Sequence, residues 1–363
     1  MSSRRSARLS TVPPVIREFS VKEEKPARKA NISKKRSADA VPSSIGDGLD
    51  LSTPKRRKAA KSTPPVTPTS SAICLMTAPF ASSMAPLAVN RLVVPNGTNA
   101  TLITPETHRV ISNKPVDQVS PSKDSKIKST SGNILDEAVA HLIKIEPKLK
   151  PVIEKHPCYM FSPEGLAEEI DPFMSLTSGI ISQQVSGAAA KSIKAKFVAL
   201  FNPNESDVAL HKFPTPSQVC SSKIDVLRTA GLSQRKAEYV SGLAEKFHKG
   251  ELTTSRLFTA TYEEVLQELI KVRGLGKWSV EMFACFGLKR MDVFSTGDLG
   301  VQRGMAVLAG KNVSKLKSSK GGKWKYMSEK EMEEMAEKFK PYRSLLMYYS
   351  WRVGDLDFSS LGS

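Results

Sequence analysis

The stretch L-Q-E-L-I-K-V-R-G-L-G-K-W-S-V-E-M-F-A-C-F-G-L-K-R-M-D-V-F-S-T-G-D-L-G-V-Q-R, residues 266–303, decides how the chain is organised. It begins in a helical pattern, with Val265, Leu266, Leu269 and Ile270 repeating an apolar face. Arg273-Gly274-Leu275-Gly276 interrupts that helix. Its two glycines permit positive φ at both positions, so the chain can reverse tightly. From Trp278 to Phe286 a second helix is expected, with Val280, Met282, Phe283 and Phe286 as its apolar face. A helix, a G-x-G turn and another helix leave backbone N–H groups free where the second helix starts. With the helix dipole behind them these donors suit a phosphate oxygen, and Lys277 beside the turn adds positive charge. The plain alternative is an αα-corner in which the glycines only allow the bend.

Asp298 follows in S-T-G-D-L-G, after the apolar pair Val293-Phe294 and the turn-prone Ser295-Thr296-Gly297. A hairpin followed by a lone carboxylate resembles the helix-hairpin-helix DNA glycosylases. In that family the aspartate faces the deoxyribose of a nucleotide whose phosphate the hairpin grips. Asp298 also reads as the N-cap of a helix through Val301 and Met305, a role compatible with the first.

Length alone would allow two domains in 363 residues, but the composition is uneven. Residues 1–130 hold 22 Lys and Arg against 9 Asp and Glu, which is +13 of the net +18, and 14 of the 23 prolines. Such a segment buries too little apolar surface to offset its chain entropy, so it reads as a disordered basic tail. Roughly 230 residues remain for a compact body, enough for a core. A pI near 9.7 favours a polyanionic partner, either nucleic acid or an anionic membrane surface. No apolar run is long enough to span a bilayer, and the N-terminus lacks the apolar core of a secretory signal. Its Arg- and Ser-rich opening, without an acid before Glu18, reads as a basic tail, with a mitochondrial transit peptide as the alternative. Cys74, Cys158, Cys220 and Cys285 are far apart and form no C-x-x-C pair. They point to a reducing compartment and away from a zinc or iron–sulfur site, so no metal or cofactor is expected.

Within the tail, Lys34-Lys35-Arg36 and the cluster from Pro54 to Lys61 stand out, the second in the pattern of a nuclear import signal. A solvated tail that adds non-specific DNA affinity by counterion release is the other reading. Order is expected from Asn133, an N-cap for a helix over Ile134–Ile145. In I-I-S-Q-Q-V-S, residues 180–186, the adjacent Gln183 and Gln184 between apolar helices read either as a polar turn or as a loop that probes the base stack. Arg235, Lys236 and Lys246 lie on a later helix and are expected to be solvated. A helix from Pro341 to Val353 carries Tyr342, Tyr348, Tyr349 and Trp351. About ten helices and no strand pattern place the chain in the all-α class.

Residues from about 133 to 356 resemble the 3-methyladenine DNA glycosylase II family, especially its fungal alkyladenine members. The matching motifs are I-I-S-Q-Q-V-S-x-x-A-A, A-G-L-S-x-x-K-A, V-R-G-L-G-K-W-S, D-V-F-S-T-G-D-L-G-V and K-P-Y-R-S-L-L-M-Y-Y-S-W-R. The resemblance implies a two-lobed helical body over residues 131–358 that acts on double-stranded DNA as a monomer and excises alkylated purines, and the import-like cluster of the tail puts it in the nucleus. Asp298 would be its catalytic carboxylate, which stabilises the charge developing on the sugar or deprotonates the attacking water, and Arg273, Gly274, Leu275, Gly276 and Lys277 its DNA-gripping hairpin. Gln183 and Gln184 would form the intercalating loop. Trp278 and Trp351 would line the base pocket, with Met282 where the bacterial pocket has a tyrosine and Tyr348 or Tyr349 as substitutes. Bacterial members carry a small β domain where this chain has its tail, so no sheet is expected. Lyase-competent relatives place a Schiff-base lysine where Trp278 stands, which implies a monofunctional enzyme. A non-enzymatic helix-hairpin-helix DNA-binding factor and an oxidised-base glycosylase with lyase activity are the competing readings.

Overall fold

The computed structural model describes residues 90–118, 129–318 and 324–353. Both basic clusters of the tail and Cys74 lie outside them. Three short strands, β1 (Thr101–Ile103), β2 (Val110–Ile111) and β3 (Glu169–Ile170), form a small sheet. Its order is β2-β1-β3, with β2 antiparallel and β3 parallel to β1. The helices run α1 (Ile134–Ile145), α2 (Lys150–Lys155), α3 (Pro163–Ala167), α4 (Pro172–Ser182), α5 (Gly187–Ala199), α6 (Pro216–Cys220), α7 (Ile224–Thr229) and α8 (Gln234–His248). After these come α9 (Thr254–Thr259), α10 (Tyr262–Ile270), α11 (Lys277–Met282), α12 (Leu299–Leu308), α13 (Val313–Ser318), α14 (Glu329–Glu337) and α15 (Arg343–Val353). The helical class therefore holds, with short helices beyond the ten foreseen.

Helix starts follow the sequence signals closely. Thr215, Thr261 and Ser328 complete capping boxes with Gln218, Glu264 and Glu331, and Asp171, Ser186 and Ser233 cap α4, α5 and α8. Each such cap is worth about 1 kcal/mol. Asn133 occupies the N-cap position of α1, but its Oδ1 turns back to accept from Thr130 N at 2.8 Å.

Residues 90–118 correct the expected boundary near 130 and the expectation of no sheet. Ala100 and Leu102 are buried in a core. The reason lies in Arg290, which is 2% exposed and needs acceptors for its guanidinium. Nη1 donates to Asn96 O at 3.0 Å, while Nη2 donates to Thr98 Oγ1 at 3.1 Å and Ala260 O at 2.5 Å. Asn99 N and Met291 N then tie the same segment to Leu288 O and Pro95 O. Proline-rich composition hid a strap that a buried cation fastens.

Two apolar clusters make up the interior. One gathers α1, α2, α12, α14 and α15; the other gathers β1, α4, α8 and α10. They meet on α11 and the π-helical turn Phe283–Gly287 that continues it. Val280, Phe283 and Leu288 belong to the second cluster, whereas Met282, Ala284, Cys285 and Phe286 belong to the first. Burying each large apolar side chain contributes about 1.5–3 kcal/mol, so this segment is fixed from both sides.

The turn between α10 and α11 uses its glycines differently from expectation. Gly274 is left-handed, with φ 94°, and a Cβ there would run into the Tyr239 ring. Gly276 is extended, with φ −92° and ψ 168°, and a Cβ would meet nothing within 4 Å. No internal packing demands glycine at 276, which leaves open space in front of its backbone. No side chain caps α11, so the N–H groups of its first turn lack acceptors within the helix. Gly274→Ala is expected to lose more than about 2 kcal/mol from strain and the Tyr239 clash. Gly276→Ala should lose about 1 kcal/mol or less. Urea titration of both variants checks the contrast, and equal losses would contradict it.

Candidate active site

Asp298 is 2% exposed and is the meeting point of three elements. It is the N-cap of α12, its Oδ1 accepting from Val301 N at 2.9 Å. The indole Nε1–H of Trp351 donates to the same oxygen at 3.0 Å, and that of Trp278 donates to Oδ2 at 2.8 Å. The capping reading of Asp298 holds, and the same carboxyl group receives both indole N–H groups. Trp278 comes from the first turn of α11 and Trp351 from the last turn of α15. α15 packs against α12 where a Cβ on Gly304 would collide with the backbone of Ser350. One turn earlier, a Cβ on Gly300 would lie 2.7 Å from Trp351 Cδ1, so the missing side chain makes room for the indole. Trp351 also stacks on Phe286, with centroids 5.7 Å apart and planes 20° from parallel.

The loop leading to Asp298 is fastened along its length. Arg343 makes a two-pronged ion pair with Asp292, at 2.6 and 3.0 Å. Ser344 Oγ donates to Arg290 O and accepts from Val293 N. Ser295 Oγ donates to Glu281 Oε2 at 2.5 Å, Thr296 Oγ1 donates to Glu329 at 2.9 Å, and Gln302 Nε2 donates to Thr296 O at 3.1 Å. Asp298 therefore has little freedom to move.

The glutamine pair divides its labour. Gln183 Nε2 donates to Gly274 O at 2.8 Å, which joins the α4–α5 loop to the hairpin. Gln184 is exposed and left-handed, with φ 56°. Holding a non-glycine residue there costs about 1–3 kcal/mol, a strain that surrounding structure must impose. Lys236, expected to be solvated, instead donates from Nζ to Ile181 O and Gln183 O. Arg273 and Lys277 are exposed on the hairpin, and Leu275 is buried beneath it.

Not every side chain expected at the pocket lies beside Asp298. Met282, one turn beyond Trp278, lines a small cavity with Ser175, Gly179, Ser279, Phe283 and Phe286. Tyr349 is 1% exposed, its ring edge-on to Tyr348 at 5.1 Å. Two residues along a helix are about 200° apart, so Tyr349 lies on the opposite side of α15 from Trp351. Tyr348 donates to Pro157 O at 3.2 Å and lies under the Arg352 guanidinium at 3.6 Å. The two tyrosines thus serve the packing of α15 rather than the surroundings of Asp298.

Sequence reading missed Glu281, a second buried carboxyl beside the site. It is 2% exposed, and burial pushes its pKa up, with Asp298 adding to the rise while Ser295 and Lys277 oppose it. Its place in an apolar helix stretch was the available signal. A carboxyl whose folded pKa lies above its ordinary 4.5 gives its full stability contribution below 4.5 and loses it as pH rises through the raised value. Glu281→Gln keeps an acceptor for Ser295 without that loss. Its Tm should therefore gain on the wild type as pH is raised from below 4.5 to neutrality, and a constant difference would contradict this. Among the described residues no group of three or more His, Cys, Asp or Glu side chains could hold a metal ion, and no helix is long and apolar enough to cross a membrane.

Comparison with known proteins identifies the family. The model of the HhH-GPD superfamily base excision DNA repair proteins matches residues 177–321, from α4 through the hairpin and Asp298. A DNA-3-methyladenine glycosylase of Saccharomyces cerevisiae is 33% identical over 246 residues, covering 62% of this chain and 81% of that protein. The alkylbase DNA glycosidase-like protein mag2 of Schizosaccharomyces pombe is 28% identical over 237 residues, covering 65% and 97%. The crystal structure of a DNA-3-methyladenine glycosidase from Bacillus halodurans aligns with a TM-score of 0.46 at 27% identity, covering 61% of this chain and 91% of that one. With a third of the aligned residues identical across four-fifths of the yeast protein, this chain belongs to the DNA-3-methyladenine glycosylases of the HhH-GPD superfamily.

Proposed function

We propose that this protein is a monofunctional DNA glycosylase that extrudes a purine made cationic by alkylation and hydrolyses its N-glycosidic bond, leaving an abasic site. The observation that carries this reading is the Asp298 carboxyl group held between the Trp278 and Trp351 indoles, on the α11 side of a hairpin with open space at Gly276. The open N–H groups of the α11 turn, with Lys277 beside them, grip a backbone phosphate. Gln184, the exposed tip of the α4–α5 loop, fills the gap left by the extruded nucleotide. A cationic purine is drawn to electron-rich ring faces by about 0.5–2 kcal/mol, which is the role assigned to Trp278 and Trp351.

Asp298 stabilises the positive charge that develops on the deoxyribose as the base departs. A carboxylate offers about four lone-pair sites, and three hydrogen bonds already reach this one, so a single site is left to guide the attacking water. No amine stands at position 278, where lyase-competent relatives carry theirs, so the strand is left unbroken. The protein acts as a monomer, and the basic cluster from Pro54 to Lys61 directs it to the nucleus.

Asp298→Asn keeps the shape of the side chain and removes its charge. It is expected to bind duplex DNA as the wild type does, while release of 3-methyladenine and 7-methylguanine from methylated DNA falls about 10²–10³-fold. Undiminished release would remove Asp298 from the mechanism, and strand breaks without alkali treatment would show a lyase. Gly276→Ala should release the same bases with a raised KM, because its new methyl group occupies the space meant for the phosphate.

A further inference from the structure

The probing loop is held from two sides, and both holds lie away from Asp298. α4 ends at Ser182, and the last carbonyls of a helix lack partners of their own. Lys236, in the first turn of α8, reaches them: Nζ donates to Ile181 O at 2.8 Å and to Gln183 O at 2.6 Å. The second acceptor belongs to the peptide joining Gln183 to Gln184, so the bond fixes the plane from which the chain enters its left-handed step. An ammonium here faces the negative end of the α4 dipole, and charge-assisted hydrogen bonds are shorter and stronger than neutral ones. From the other side, Gln183 Nε2 donates to Gly274 O at 2.8 Å in the hairpin. Burial lowers the Lys236 pKa, as expected for an ammonium turned inward to carbonyls rather than out to water.

We propose that Lys236 is a positioning residue for base extrusion: with Gln183 it locks the Gln184 tip to the phosphate-gripping hairpin before DNA arrives. The inference rests on the reading of Gln184 as the element that enters the base stack. A tip held in place beforehand loses no ordering entropy on insertion, and a misplacement of about 1 Å is enough to slow such a step strongly. Lys236 touches neither substrate nor Asp298, so its effect should depend on how hard the lesion is to extrude.

The test uses the full chain and the variants Lys236→Met, which keeps the aliphatic stem but no donor, and Lys236→Arg, which keeps charge and donors. Lys236→Gln, with a neutral amide in place of the ammonium, replaces Lys236→Met if thermal unfolding shows that the methionine variant does not fold. Single-turnover release of 7-methylguanine is measured from a duplex in which the lesion pairs with cytosine and from one in which it faces an abasic position. Extrusion from the second is easier. Lys236→Met is expected to slow release about tenfold or more on the paired lesion and less than about threefold on the unpaired one, with Lys236→Arg restoring most of the loss. Equal slowing on both substrates, or none on the paired one, would overturn the proposal. A parallel measurement follows 2-aminopurine fluorescence in an undamaged duplex, which rises on unstacking and requires no excision. If the wild type releases no alkylated purine, the glycosylase reading fails. The latch then stands if Lys236→Met lowers the fluorescence rise and falls if it does not. No rise with the wild type would sink both the Gln184 wedge and the latch.

Discussion

Everything at the site depends on α11 and its π turn being buried from both sides at once. A helix that serves one core can slide or tilt as that core repacks. This one carries Val280 and Phe283 into one cluster and Met282, Cys285 and Phe286 into the other. The π turn at Phe283–Gly287 fits that double duty, since an extra residue per turn shifts which face each side chain presents. At Gly287 a Cβ would press on the Phe283 ring, so even the exit from the turn is shaped by packing. Trp278 inherits its position from this helix, and so do the hairpin glycines that precede it.

From that anchored helix the electrostatics follow. Trp278 donates to one oxygen of Asp298 and Trp351 to the other, so the carboxyl group is aimed by two rings arriving from separate helices. The loop before it is tied to α10's successor through Glu281, to α14 through Glu329 and to α15 through Arg343 and Ser344. Fixed dipoles that need no rearrangement are worth more to a developing charge than the same groups free to reorient. Dense fastening around one short loop keeps Asp298 in a single orientation, as the proposed role requires.

Helix positions were legible because they rest on local chemistry: Thr215 with Gln218 and Thr261 with Glu264 write their own caps, and the apolar spacing from Val265 to Phe286 shows both hairpin helices. The pairing of Asp298 with Trp278 and Trp351 was legible through motifs resembling a known family, not through spacing. What stayed hidden depends on contacts far apart in sequence. The strap at residues 90–118 is ordered by Arg290, 192 positions beyond its partner Thr98. Lys236 read as one more solvated base on a polar helix, because nothing local tells that its reach ends on Ile181 and Gln183. Tyr349 was misassigned for a simpler reason: two residues from Trp351 on a helix means the opposite face. Gly276 was credited with a positive φ it does not have, since a glycine kept for space looks the same in sequence as one kept for conformation.

The hydrogen-bond count at Asp298 also bears on the kind of chemistry proposed. A general base needs lone pairs facing its proton donor, and three of the roughly four sites here are already taken. A stabiliser of positive charge needs only proximity and fixed orientation, and the two indoles supply the orientation. A purine alkylated at N3 or N7 departs as a neutral base and needs no proton delivered to it. The barrier that remains is the charge left on the sugar. A carboxylate held still beside that charge addresses it directly, whereas a freer and more basic one would spend its advantage on reorientation. The same donors that limit Asp298 as a base are therefore what suit it to a substrate whose leaving group is activated beforehand.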